Sequence, residues 1–186
     1  SVRADDATNS GALVGTVSVA GEGAAVGTGS SINLINRTTT AEVKNSEIAA
    51  KNAAVAARSA QGIAALTAGF SFADELSVAN SNNIIRMEQK TSAALMNSKV
   101  NVSGLSVTSD NEAKLNALAL TGGAAGIGVG VGVGVGVGVG TATLLDRSTT
   151  EADIAGTTVV YRDDQGETLV RAKNTERLNN YVYSVA

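Results

Sequence analysis

The chain contains no cysteine, no proline, no histidine and no tryptophan in 186 residues. Without cysteine there is no disulfide framework and no thiolate chemistry. Without histidine the commonest general base and metal ligand is missing. Aromatic residues number five, namely Phe70, Phe72, Tyr161, Tyr181 and Tyr183, which leaves few rings for stacking on nucleic-acid bases. A formal net charge of −3 also argues against a nucleic-acid groove. Hydrophobic residues make up 44% of the chain, too many for wholesale disorder. Core volume must therefore come from Val, Ile, Leu and Ala. Side chains this small and uniform suit thin layers stacked many times over.

What is present is a repeat. Val2 opens "VRADDATNS" and Val170 opens "VRAKNTERL"; between them, Val55 opens "VAARSAQGI" and Val107 opens "VTSDNEAKL". The spacings are 53, 52 and 63, and eleven residues after each Val comes Leu13, Leu66, Leu118 or Tyr181. A second landmark keeps the same register: Val43, Leu95 and Ile154 align, each followed five residues later by Ile48, Val100 or Val159. The chain thus divides into three degenerate repeats and the start of a fourth, in a single segment spanning 1–186. Two insertions explain the longer last interval: a Gly-Val arm, and the polar turn "YRDDQGE" at Tyr161 to Glu167. Relative to the first repeat the arm gains six residues, an even number that preserves inside and outside faces. The second repeat, one residue shorter, requires a bulge or a shifted turn.

The Ala-rich segment Glu47–Leu66 favours helix by propensity alone. Its counterpart in the next repeat, "KVNVSGLSVTSDNEAKLNAL", carries β-branched residues and alternation at Val100, Val102, Leu105 and Val107. Copies of one repeat share a fold, so strand is expected in both. "ALVGTVSVAG", "SSINLI" and "NNYVYSVA" also read as strands, with turns at "NRTTT", "KNSE" and "RDDQG".

The run "GIGVGVGVGVGVGVGTATLL" from Gly126 to Leu145 tests these expectations. As a membrane helix it fails: seven glycines, Gly128 to Gly140, cost roughly 7 kcal/mol of propensity. Six valines return only about 2–4 kcal/mol on insertion. In a strand the valines share one side and the glycines the other. Glycine entropy then costs roughly 4–7 kcal/mol, and burying the valines offsets it by about 9–18 kcal/mol. A covered face is therefore expected for Val129, Val131, Val133, Val135, Val137 and Val139. The glycine face, lacking side chains, lets another sheet approach closely. An elastin-like linker is the alternative reading of this run.

"GTGSSINLINRTTTAEVKNSEI" and "GVGVGTATLLDRSTTEADI" share one plan: a Gly-rich run, an apolar strand, a Thr-rich corner and a short strand. This plan resembles the repetitive passenger regions of large type V secreted adhesins and leukotoxin-like autotransporters of Gram-negative bacteria. The resemblance covers essentially the whole chain. It implies an all-β fold, a right-handed parallel β-helix (β-solenoid) of about three repeats with a long Gly-Val strand arm. It also implies an extracellular or cell-surface location and a role as stalk, fibre or adhesin. The membrane barrel and secretion region of such proteins are not in this sequence.

No nucleophile–base pair, cofactor loop or metal-ligand set is recognisable, and an enzyme is not expected; a carbohydrate-active enzyme is the least favoured alternative, since no particular carboxylate pair is marked. The acidic pairs Asp5-Asp6, Asp74-Glu75 and Asp163-Asp164 read as solvated turns rather than Ca²⁺ loops. Thr38 to Thr40, Thr149 and Thr150 read as hydroxyl ladders across rungs, with a flat ice- or glycan-binding face as the alternative. The first residue is Ser, with no signal peptide before it, so a processed chain or an excised fragment is expected. Neither end has a polar cap. Self-assembly is the expected partnership, with Tyr181, Tyr183 and the segment after them pairing near Val2 of the next unit. Cell-surface or matrix glycans are the alternative partner, for an adhesin module; no nucleic acid, membrane span or cofactor is expected.

Overall fold

The structure is a computed structural model, and it describes residues 1–125, 135–163 and 165–185. Every described element is a strand. One coil of the chain runs through β1 (Val2–Val19), β2 (Ala24–Lys44) and β3 (Glu47–Ala49). The next runs through β4 (Asn52–Ala73), β5 (Leu76–Met96) and β6 (Lys99–Val102). The third comprises β7 (Gly104–Ala125), β8 (Val135–Ala155) and β9 (Thr158–Tyr161), and β10 (Glu167–Val185) begins a fourth. Equivalent strands pair in parallel, giving sheet A (β1-β4-β7-β10), sheet B (β2-β5-β8) and the narrow sheet C (β3-β6-β9). This is a parallel β-solenoid with one wide rung per repeat. At about 3.3 Å per residue the long strands span roughly 60–70 Å, far beyond the usual strand length.

The register is the one carried by the sequence landmarks. Val2 pairs with Val55, Val55 with Val107, and Val170 with Val107. Leu13, Leu66, Leu118 and Tyr181 form one column, and Val43, Leu95 and Ile154 another. The Ala-rich segment is strand over Glu47–Ala49 and again from Asn52, because its residues from Val55 onward are paired on both sides, with β1 and with β7. A ladder on both sides outweighs the few tenths of a kcal/mol per residue by which alanine prefers helix.

The one-residue shortening of the second repeat is absorbed at the A–B corner without a bulge. Val19 and Phe72 are equivalent, as are Ala24 and Leu76, so the corner is simply one residue tighter. The six-residue gain lies at the same corner of the third coil, between β7 and β8. The "RDDQG" insertion lies between β9 and β10. At the B–C corner three turns stack, with Asn45, Asn97 and Gly156 all at left-handed φ of 50°, 48° and 59°. Asparagine and glycine tolerate that backbone where other residues do not. The "NRTTT" turn is not formed. Asn36–Thr40 lies inside continuous strand β2, because threonine is β-branched and Arg37 is fixed inward by a partner on β1.

Inside, two apolar clusters carry the core. One sits at the sheet C end, around Leu95, Val100, Val102 and Val107; the other lies midway along sheets A and B, around Ile63, Ile85, Met87 and Leu115. The columns Val43, Leu95, Ile154 and Ile48, Val100, Val159 repeat an apolar residue from coil to coil, so the core is a stack rather than a ball. Among the described residues there is no helix long and apolar enough to cross a membrane, which says nothing of strands.

Candidate functional site

The two ends of the flattened coil have opposite polarity. Near sheet C the arrangement is ordinary, with aliphatic side chains inside and charged ones outside. The outer column Asp5, Arg58, Asp110, Lys173 alternates in sign from rung to rung. Arg171 reaches Asp110 at 3.1 Å, and Lys90 reaches Glu151 at 3.1 Å on the other broad face. Such exposed pairs add little stability each, but alternate signs oppose a slipped register.

Near the A–B corner the polarity is inverted. The outer face of sheet A carries Leu13, Leu66, Leu118 and Tyr181 in one column, then Gly15, Ala68, Leu120 and Tyr183 in the next. Val17, Phe70, Gly122 and Val185 follow, then Val19, Phe72 and Ala124, so the four columns contain no charge. Exposure reaches 76% at Leu13, 67% at Val17 and 57% at Tyr183. A groove of about 550 Å³ runs across the rungs beside the leucine column, floored by Gly11, Ala64 and Asn116 and bounded by Tyr181. The interior behind this face holds Thr67, Ser71, Ser77, Ser81, Asn83 and Thr121, together with glycines. A Cβ on Gly69 would lie 2.3 Å from the Asn80 carbonyl oxygen, and one on Gly136 would lie 2.5 Å from the Gly123 oxygen. Sheets A and B meet backbone to backbone here, so only glycine, alanine and small polar residues fit, Ala25, Ala73 and Ala79 among them.

This geometry corrects the expectation for the Gly-Val run. In β8 it is the glycines that face the interior, where sheet A leaves no room for valine. Val135, Val137 and Val139 point outward and are 56%, 39% and 50% exposed. The close sheet approach expected of the glycine face is present, but the covered valine face is not. Val129, Val131 and Val133 lie outside the described residues. Tyr181 and Tyr183 stand on the outer face of sheet A, and Val137 and Val139 on the outer face of sheet B, so they flank the same thin half of the coil. Val2 is far from them, at the sheet C end of β1 and in the inward phase, paired with buried Val55.

Thr39, Thr91 and Thr150 pair in sequence and face inward, but none of the three hydroxyls has a hydrogen-bond partner, so the expected hydroxyl ladder is only a stacked column. The outer column runs Thr38, Lys90, Thr149, so a flat threonine face is not formed. Asp5 is outward beside Arg3, whereas Asp6 is inward. Asp74 and Glu75 form the A–B corner, Asp163 lies in the turn after β9, and Asp164 is outside the described residues.

A polar stripe crosses the interior between the two apolar clusters, a feature that alternation alone does not reveal because its members occupy ordinary inward positions. In the first coil Arg37 Nη1 donates to Asp6 Oδ1 and Oδ2 at 2.9 and 3.0 Å and to Thr8 Oγ1 at 2.6 Å. In the second, Gln89 donates to Ser59 and the side chains are neutral. In the last, Asn111 Nδ2 donates to Asn174 Oδ1 at 2.8 Å, Asn174 donates to Glu176, and Ser148 donates to Asp146 Oδ1. Asp146 occupies the column of Ile35 and Met87, at the edge of the apolar cluster. Burial raises its carboxyl above the usual range, the Ser148 hydrogen bond opposes this, and the Glu176 charge adds to it. Comparison with protein-family models, with curated proteins and with solved structures returns no match to this chain.

Proposed function

We propose that this chain is a structural β-solenoid segment of an extracellular or cell-surface protein, a stalk or filament element that packs laterally against copies of itself. The observation that supports the reading is the inverted half of the coil. Four columns about 6.6 Å apart and four rungs about 4.8 Å apart cover roughly 500 Å² of uncharged surface. That is near the top of what an unpartnered monomer exposes. Placed face to face on a second copy it removes about 1,000 Å² from water, the lower bound for a specific interface. Two sheets pack well at about 10 Å when side chains interdigitate, and the alternation of Leu and Phe with Gly and Ala supplies knobs and gaps.

The test is sedimentation over a concentration series, with the parent compared to Leu66→Lys and Leu118→Lys. Both positions are outward and on inner rungs, so the fold is expected to persist while association is lost. A parent that stays monomeric at all concentrations contradicts the proposal. The groove bounded by Tyr181 and floored by Asn116 supports a second reading, a glycan-binding adhesin module: a ring for a sugar face beside an amide for its hydroxyls. Saturable binding of a soluble oligosaccharide, lost in Tyr181→Ala with association unchanged, would favour that reading.

A further inference from the structure

We propose that the outer face of sheet B receives the leucine face of sheet A from a second copy of this chain, so that copies stack B on A in an open series. The inference rests on the lateral packing proposed above and names the surface that takes part in it. In the thin half of the coil the outward columns of sheet B begin with Ala24, Leu76 and Val135 and run to Ile32, Ile84 and Thr143. No column in this span carries a charge, and Val26, Val137 and Val139 within it are exposed. At about 6.6 Å per column and 4.8 Å per rung, three rungs cover roughly 480 Å², the size of the uncharged face on sheet A. Packing A on A hides one of these faces and leaves the other in water. One kind of contact, B on A, covers both and removes about 1,000 Å² from water at each joint.

The margins of the two faces decide the orientation. On sheet B the first charged column holds Arg86, whose guanidinium lies 3.7 Å from Glu88 on the exposed surface. At the opposite margin is the A–B corner with Glu22, Asp74 and Glu75, none of which forms an ion pair among the described residues. On sheet A the uncharged face gives way to Lys114, beside Glu112 at 2.9 Å. Stacking without rotation sets acidic corner beside acidic corner and the Arg86 column over the Lys114 column. A half turn about the stacking direction reverses both conflicts: counted along the strands, Arg86 of one copy meets Asp74 of the next, and Glu22 meets Lys114. In the same register Val78 comes over Leu66, Gly15 under Val139 and Ala124 under Ile32, so knobs meet gaps. Asn82, inside the patch, already accepts a hydrogen bond from Thr141 at 2.9 Å. The charged margins set the orientation, and the uncharged columns carry the affinity. Because the joined faces differ, the contact does not close on itself and the series extends.

The experiment is sedimentation of two variants, alone and mixed. Val78→Lys blocks the sheet B face and keeps the sheet A face; Leu66→Lys does the reverse. Each alone is expected to be monomeric at concentrations where the parent forms a series of oligomers, and their equal mixture is expected to form a heterodimer that grows no further. Val137→Lys, at a more exposed site on β8, repeats the test if Val78→Lys impairs folding. A Val78→Lys or Val137→Lys chain that folds and dimerises by itself would overturn the B-on-A contact while leaving lateral packing through sheet A intact. A mixture that stays monomeric would also overturn it, and a parent that stays monomeric would contradict both readings. Orientation is read separately. Arg86→Glu should weaken association about tenfold or more, and an equal mixture with Asp74→Lys/Glu75→Lys should recover it. Arg86→Glu chains that associate as tightly as the parent, or a mixture no tighter than either variant, would overturn the half-turn register.

Discussion

Glycine positions separate two kinds of small residue in this chain. At Gly69 an added Cβ meets the Asn80 carbonyl oxygen at 2.3 Å, whereas at Gly15 nothing lies within 4 Å. Gly69→Ala should therefore cost about 1–3 kcal/mol by forcing the sheets apart. Gly15→Ala should be neutral or stabilise by about 0.5 kcal/mol through the unfolded chain. Urea unfolding of the two variants measures both. Asp146 makes a second prediction, with a definite sign. Its folded pKa is raised by burial, with the Glu176 charge adding. The folded state then binds a proton more tightly than the unfolded chain, so this contribution to stability is greatest below the unfolded value of about 3.9. It is lost as pH rises through the raised value. At pH 7, Asp146→Asn should shift the urea midpoint upward, and near pH 3 the two chains should unfold alike. A variant less stable than the parent at pH 7 would contradict the assignment.

Strands and corners are where the sequence was most and least readable. The columns begun by Val2, Val43 and Ile48 were legible because each repeats at a fixed spacing with an apolar residue every time. The B–C corner was legible at "KNSE", where asparagine takes the left-handed turn. Asn97 at φ 48° sits in the same stack, so Asn97→Gly should be neutral while Asn97→Val costs about 1–2 kcal/mol. Thermal melts decide between them. Leu95, fully buried in the sheet C cluster, should lose about 2–5 kcal/mol on change to Ala. Two features were not legible. "NRTTT" carries turn-compatible residues, but the partner that holds Arg37 extended is Asp6, 31 residues away. Val-Gly alternation defines two faces without saying which is inside. That is decided by Gly27, Gly29, Gly69 and Gly123 on neighbouring strands, which leave no interior volume for valine.

At the scale of the whole molecule, one coil contains two different materials. The sheet C end is an aliphatic core under a charged surface, and the A–B end is a thin polar seam under an apolar surface. The first stabilises the stack by itself, and the second leaves its apolar area for a neighbour. Lateral association should accordingly survive high salt, since its contacts are uncharged, and Leu118→Lys should abolish it without lowering Tm by more than a few degrees.

The central claim is that residues a full coil apart in sequence are adjacent in space. Thr40 and Ser92 pair across β2 and β5 on the outer face, 52 residues apart in sequence. The chain has no cysteine, so a Thr40→Cys/Ser92→Cys variant can be labelled with nitroxides at these two sites alone. Magnetically diluted with unlabelled chain, the pair should show the strong dipolar broadening of labels on neighbouring strands, whose backbones are about 4.8 Å apart. A spectrum equal to the sum of the two singly labelled chains would contradict the wide parallel coil.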